Sequence, residues 1–314
     1  MEAGGRAEAR GRPEISLRAA RPRYGEKVIK GLLILAAVIS IATTTGIVLS
    51  LIEETIQFFG DVPVGDFLFG TEWAPLFEPA SFGVLPLVSG TLIIAGIAML
   101  VATPLGLGAA IYLSEYARPG VRKTIKPILE LLAGVPTVVF GYFALTFFTP
   151  EILQALFGSS IQIFNALSAG IIVGFLIIPT VASISEDAMS AVPASLREGA
   201  FGLGGAKLQV VLRVVFPAAL SGIVASLVLA MSRAVGETMV VLVAGGQRPQ
   251  WGLDVGQSME NMPAFIAATG KGDIATGSIA YKTVFAVGML LFVITLIMNL
   301  FSIRFVRKYR QVYE

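Results

Sequence analysis

The chain has 314 residues, 55% hydrophobic and only 14% charged, with a formal net charge of +2 and a mean hydropathy of +0.81. Soluble domains run nearer a quarter charged, so these figures exclude a disordered chain and argue against a soluble globular enzyme. Histidine and cysteine are both absent, which removes Ser-His-Asp triads, HExxH zinc sites, His-ligated haem, disulfides and thiol nucleophiles.

Residues 1–27 form a basic arm. Eight of the 23 basic residues lie within the first 30 positions: Arg6, Arg10, Arg12, Arg18, Arg21, Arg23, Lys27 and Lys30. Tyr24 is its one aromatic residue, so the arm is expected to lie beside a membrane, with no nucleic-acid partner. Six charge-poor runs follow, each near the ~20 residues that cross a bilayer as a helix. The first is Gly31 to Ile52, within segment 28–52; it is too long for a signal peptide, and no A-x-A site follows it. An acidic connection, 53–84, carries Glu53, Glu54, Asp61, Asp66, Glu72 and Glu78 and no Lys or Arg. The remaining runs are expected at Leu85 to Leu113, Leu131 to Thr149, Ala166 to Ile184, Val214 through Arg233 and Glu237 to Ala244, and Thr283 to Ile303. Residues 304–314 make a short basic tail.

Basic residues alternate from side to side. Arg118, Arg122, Lys123 and Lys126 follow the second run, and Arg197, Lys207 and Arg213 follow the fourth. Segments 53–84 and 150–165 have none, and only 245–282 is mixed. The positive-inside rule then puts both termini in the cytoplasm. The expected class is an all-α polytopic membrane protein with six transmembrane helices. Gly90, Gly96, Gly106 and Gly108 in the second run suit close helix packing. Pro104 and Pro136 fit either packing or a backbone break beside a pore.

Residues 190–217 read as helix, glycine turn, helix. Pro193 and the Ser195–Glu198 capping-box spacing open the first helix. Gly202, Gly204 and Gly205 supply the turn. Leu208, Val211, Leu212 and Val215 lead the second helix to Pro217. This stretch resembles the cytoplasmic signature of bacterial ABC importer permeases: Glu-Ala-Ala, three residues, Gly, nine residues, Ile, one residue, Leu-Pro. Glu198, Ala200, Gly204 and Pro217 match; Gly199 replaces the first Ala, Val214 the Ile and Phe216 the Leu, with every spacing kept. In that family the loop, here 186–213, docks into a cleft on an ATP-binding subunit.

Two further stretches, Leu129 to Leu145 and Ser232 to Val241, resemble phosphate-specific permeases, the PstC type more than the PstA type. The resemblance implies a type I (MetI-like) ABC importer permease core over 85–303. It also implies inorganic phosphate as substrate and the cytoplasmic membrane of a bacterium or archaeon as location. The implied partners are a homologous PstA-type permease, two PstB-type ATP-binding subunits, a PstS-type extracytoplasmic phosphate-binding protein and membrane lipid. Molybdate or sulfate import, or proton-coupled secondary transport, are the alternatives. No G-x-x-x-x-G-K-[ST] occurs; residues 268–273 have a Gly-Lys but neither the upstream Gly nor the Ser/Thr. The chain is therefore expected to be no enzyme and to bind no cofactor, with ATP-Mg used by the partner ATPase.

Arg233 and Glu237 are four residues apart, so a continuous helix of ~45 Å from Val214 to Ala244 would put them on one face. An intramembrane charge costs a few kcal/mol or more and must face a partner or a cavity. Two readings follow: an ion pair that braces the helix, or the lining of an anion pathway. A guanidinium's forked donors suit phosphate oxygens. Arg233, Glu237 and Thr238 form the candidate substrate pathway, and Glu198, Gly199, Ala200, Gly204 and Pro217 the candidate coupling loop.

Overall fold

The computed structural model describes residues 24–272 and 274–309. Most of the basic arm and the end of the tail lie outside them. The chain divides into residues 1–50 and a compact unit, 51–314. Helix α1 (Tyr24–Asp61) crosses that division. Its first part carries apolar side chains exposed all round, from Val28 to Leu49, the pattern of a helix that meets lipid rather than water. The helix runs nine residues past the Ile52 boundary, so Glu53 and Glu54 are helical and the outer connection begins at Val62.

In the compact unit, α2 (Val64–Phe69) and a two-stranded hairpin, β1 (Trp73–Ala74) with β2 (Ser81–Phe82), precede α3 (Leu85–Ile111). A π-helical turn, Tyr112–Tyr116, ends α3. Then come α4 (Pro119–Ala133), α5 (Thr137–Phe143) with a π-helical continuation to Leu153, and α6 (Gln154–Phe157). Next are α7 (Ala166–Ser190), α8 (Ala194–Gly202), α9 (Lys207–Val210), α10 (Phe216–Ala218), α11 (Leu220–Val235), α12 (Met262–Gly270) and α13 (Ile279–Tyr309). Among the described residues five helices are long and apolar enough to cross a membrane. They number six when Lys207–Ala218 and Leu220–Val235, bent by 73°, count as one span.

α3 and α7 form the centre, with α11 against both and α13 against α11. Small residues set the approach. A Cβ at Gly174 would meet Val101 Cβ at 2.8 Å and the Ala98 carbonyl at 3.0 Å, so the helices touch backbone to side chain, as membrane helices do. Gly90 and Gly106 are similarly occupied, whereas Gly96 and Gly108 face open space. Pro104 lies inside an unbroken α3. Pro136 does mark a break: Leu131–Ala133 belongs to amphipathic α4, and the third span starts at Thr137. A residue before proline is pushed out of the helical region, which stops α4 there.

Candidate functional site

The connector after α7 forms as a helix and turn, with one correction. Pro193 is the N-cap of α8, and no side chain caps it, so the Ser195–Glu198 capping box does not form. Proline's fixed φ and missing N–H start the helix without one. Gly204 has φ +81, a left-handed conformation that β-branched residues avoid. Gly205 lies close under Ala200, whose carbonyl would be 2.9 Å from an added Cβ. Glu198, Gly199, Gly204 and Pro217 are exposed and Ala200 is partly so. Leu203 at the tip is 92% exposed, and Phe201, Leu208 and Leu212 are also open. An apolar, protruding turn of this kind marks a contact surface. Pro217 lies in the last turn before the 73° bend, which falls between Ala218 and Leu220; its absent N–H leaves one gap in the helical ladder there.

This turn is bolted to the core. Arg197 of α8 donates from Nε and Nη2 to Glu115 Oε1 at 3.2 and 3.0 Å. It also donates to the carbonyl oxygens of Met189, at 2.7 Å, and Val192. These bonds tie α8 to the carbonyls at and just past the end of α7. Beside it, the fully buried Glu186 accepts from Lys126 at 2.8 Å and Ser190 at 2.8 Å and pairs with Arg122. Lys126 also reaches Asp187. Burial works to depress the Lys126 pKa, but hydrogen bonds to Asp187 and Glu186 outweigh it and hold the ammonium above its ordinary value. Lys207 lies over the Tyr116 ring, 4.7 Å from its centroid. Sequence reading missed this cluster. Its one signal was Glu186 itself, a carboxylate on a helix that runs six residues past the predicted end at Ile184.

The second predicted cluster is rearranged. α11 ends at Val235, and residues 236–238 are not helical before helix resumes at Met239. Arg233 and Glu237 therefore share no helix face, and among the described residues no ion pair joins them. Glu237 is 7% exposed, and its Oε1 accepts from the backbone N–H groups of Met239 and Val240 at 3.1 and 3.2 Å. It is thus the N-terminal cap of the resumed helix. Its own carbonyl accepts from Asn261 Nδ2 at 2.9 Å. Arg233 donates from Nη1 to Thr180 Oγ1 on α7 at 3.1 Å and, among the described residues, has no acidic partner. Thr238 Oγ1 donates to the Gly236 carbonyl at 3.1 Å. The brace reading of the pair falls, because the glycine break turns Glu237 to the backbone.

Comparison with known proteins agrees with this architecture. Residues 102–311 match a family described as the binding-protein-dependent transport system inner membrane component. A probable ABC transporter permease protein of Bacillus subtilis, YqgH, is 34% identical over 88% of this chain and 89% of that protein. The phosphate transport system permease protein PstC of Haemophilus influenzae is 33% identical over 82% and 84% respectively. A bacterial ABC transporter solved with an alginate pentasaccharide-bound periplasmic protein aligns with a TM-score of 0.64 at 16% identity, covering 93% of this chain and 100% of that one. The inward-facing MetNI methionine ABC transporter aligns with a TM-score of 0.53 at 19% identity, covering 73% and 95%. At such identities these structures speak for the fold alone, the MetI-like permease fold. The family match and the close relatives settle the class: this chain belongs to the binding-protein-dependent transport system inner membrane components, the permeases of ABC importers.

Proposed function

We propose that the chain is a permease subunit through which inorganic phosphate is imported, with Arg233 as the contact for the anion. The observation that carries this is the guanidinium of Arg233 on a membrane helix, held among the described residues by one hydroxyl and no carboxylate. A charge left without a counter-ion in a span has a function by default, and a guanidinium suits a tetrahedral oxyanion. The permeases named for phosphate transport among the relatives support the substrate. Glu237 and Thr238 shape the break beside Arg233 rather than binding the anion directly.

In this reading the turn at Glu198–Gly204 docks on an ATP-binding subunit that hydrolyses ATP-Mg. A second, homologous permease completes the pathway, and an extracytoplasmic phosphate-binding protein delivers the substrate. Both termini and the docking turn face the cytoplasm of a bacterial or archaeal cell. ATP-driven closure of the ATPase pair pulls on the turn, and Arg197 passes the load to α3 and α7.

The test is phosphate uptake normalised to assembled complex. Arg233→Gln removes the charge without stranding a partner, so it should insert and assemble. Uptake should fall by tenfold or more, as a lost charged contact of about 1.5–3 kcal/mol implies; Arg233→Lys should retain part of it. Wild-type uptake in assembled Arg233→Gln would remove Arg233 from the pathway. Uptake that persists without any ATPase subunit would make the system a secondary transporter.

A further inference from the structure

α3 is ~40 Å long, and its two ends meet different surroundings. At the docking end, Glu115 holds Arg197. At the other end, Gly90 lies against the Glu260 backbone, so closely that a Cβ there would overlap the Glu260 carbonyl. Glu260 lines a cavity of about 460 Å³, walled by Trp73, Leu76, Phe77, Phe265 and Ile274. That size lies within the range of small-ligand sites. The Glu260 side chain is buried, and among the described residues its carboxyl has no hydrogen-bond or ion-pair partner. Burial pushes its pKa up to about 7. Among the described lining residues it is the only acid or base. Its other close contacts are backbone: its N–H donates to the Arg248 carbonyl at 3.3 Å.

The Trp73 side of the wall is closely packed, whereas Leu76 and Phe77 are 61% and 73% exposed. The Trp73 ring stands edge-on to Phe265, 5.0 Å between centroids at 87°, and edge-on to Phe67 at 6.3 Å. Trp73 Nε1 is buried without an acceptor, an exception that native structures make rarely. An aromatic-walled pocket that holds one carboxylate unpaired among the described residues is complementary to an organic cation. It is the wrong sign for phosphate. The adjoining connection adds Asp66, Glu72 and Glu78 and contains no Lys or Arg, while Arg248 and Lys271 stand next to lining residues in the chain; the preference for a cation comes from the carboxyl inside the cavity and not from the field of this whole end.

We propose that the Glu260 cavity receives a lysine or arginine side chain presented by an extracytoplasmic protein partner. The partner's side of the membrane rests on the importer reading above; the cation site itself does not. Occupancy of the site has a short route to the pathway. Asn261, the next residue, holds the Glu237 carbonyl with its side-chain N–H and caps α12 by accepting from the Ala264 N–H at 2.8 Å. A side chain that draws Glu260 outward shifts the residue that anchors the break beside Arg233.

Trp73 and Trp251 are the two tryptophans of the chain, so Trp251→Phe leaves Trp73 as the sole emitter. With this variant purified, n-propylguanidinium chloride serves as the arginine side-chain probe. Trp73 emission should change saturably at pH 8, with about tenfold weaker binding at pH 6, where the carboxyl is protonated. The response should vanish in Trp251→Phe with Glu260→Gln, a pair expected to elute and assemble as the parent does. No saturable response, or one that survives Glu260→Gln, overturns the cation site. In the assembled complex, Glu260→Gln should weaken binding of the substrate-loaded binding protein and leave basal ATP hydrolysis unchanged; unchanged binding overturns the protein-partner assignment. If the guanidinium response stands while the wild-type complex imports no phosphate, the importer reading has failed and the cation site has not.

Discussion

Glu186 and Glu260 are both buried carboxylates, 0% and 5% exposed, at opposite ends of the same helix pair. Glu186 is surrounded by Arg122, Lys126 and Ser190, all from its own chain. Glu260 faces aromatic walls, with no cation supplied among the described residues. A buried charge is tolerated when paired and is otherwise driven to its neutral form. The first end is therefore finished as it folds, and the second waits for something from outside. Within one chain the same residue type serves as a rivet and as a receptor.

The largest effect should come from undoing the finished end. Arg122 and Lys126 side chains are 39% and 26% exposed, whereas Glu186 is fully buried. Arg122→Met with Lys126→Met therefore strands the carboxylate, and we expect a loss of about 3–5 kcal/mol and poor recovery of monodisperse protein. Adding Glu186→Gln should restore most of it, because the cations reach water on their own but the carboxylate cannot. Thermal midpoints and size-exclusion profiles check both; an unaffected double variant breaks the comparison.

The unfinished end should show itself by pH. The folded chain holds the Glu260 proton up to about 7, where the ordinary value is 4.5. Between those values the folded state binds more protons than the unfolded one. Stability should therefore fall as pH rises from 4.5 to 7, by about 3 kcal/mol, and level off above. Glu260→Gln should remove that component of the slope, and an identical pH profile in the variant refutes the bare carboxylate.

Smaller changes sharpen the picture of the docking end. Arg197→Met frees Glu115 and the last carbonyls of α7, with an expected cost of about 2 kcal/mol. Uptake per assembled complex should drop more than ATPase association does. Gly204→Val forces a β-branched residue to φ +81, at about 1–2 kcal/mol. Gly204→Asn should cost less, since asparagine visits that conformation. Co-purification of the ATPase subunit reads this out, and undiminished association in Gly204→Val removes the turn from docking.

Much of the architecture was legible because lipid imposes a simple grammar. Charge-free runs became helices, and the start at Leu85 and the span from Ala166 came out as read. The Pro193 start and the Gly204 turn were also visible, because proline and glycine act locally. The break at 236–238 was not. Gly236, Glu237 and Thr238 sit in an apolar context that continues helically on either side, and one of the contacts that hold the gap comes from Asn261, 24 residues on. The ion cluster was hidden for the same reason: Glu186 and Lys126 are 60 residues apart. The end of α4 at Ala133 was obscured because Leu131 and Leu132 read as the start of a span although they close an amphipathic helix.

The gap in the fifth span is capped largely by its own side chains, with Asn261 holding it from outside. Glu237 occupies the first N–H groups of the resumed helix with its own carboxylate, and Thr238 returns a hydrogen bond to Gly236. One backbone bond from the capping residue still crosses the junction, from the Glu237 N–H to the Ala234 carbonyl of α11 at 3.3 Å. A change in mutual tilt would strain that bond and the Asn261 contact but need not unwind either helix, where each bared peptide group would cost several kcal/mol. The junction is thus a joint with capped ends: Arg233 rides on one arm, Glu237 closes the other, and a tilt between them would break fewer bonds than the same tilt in a continuous helix.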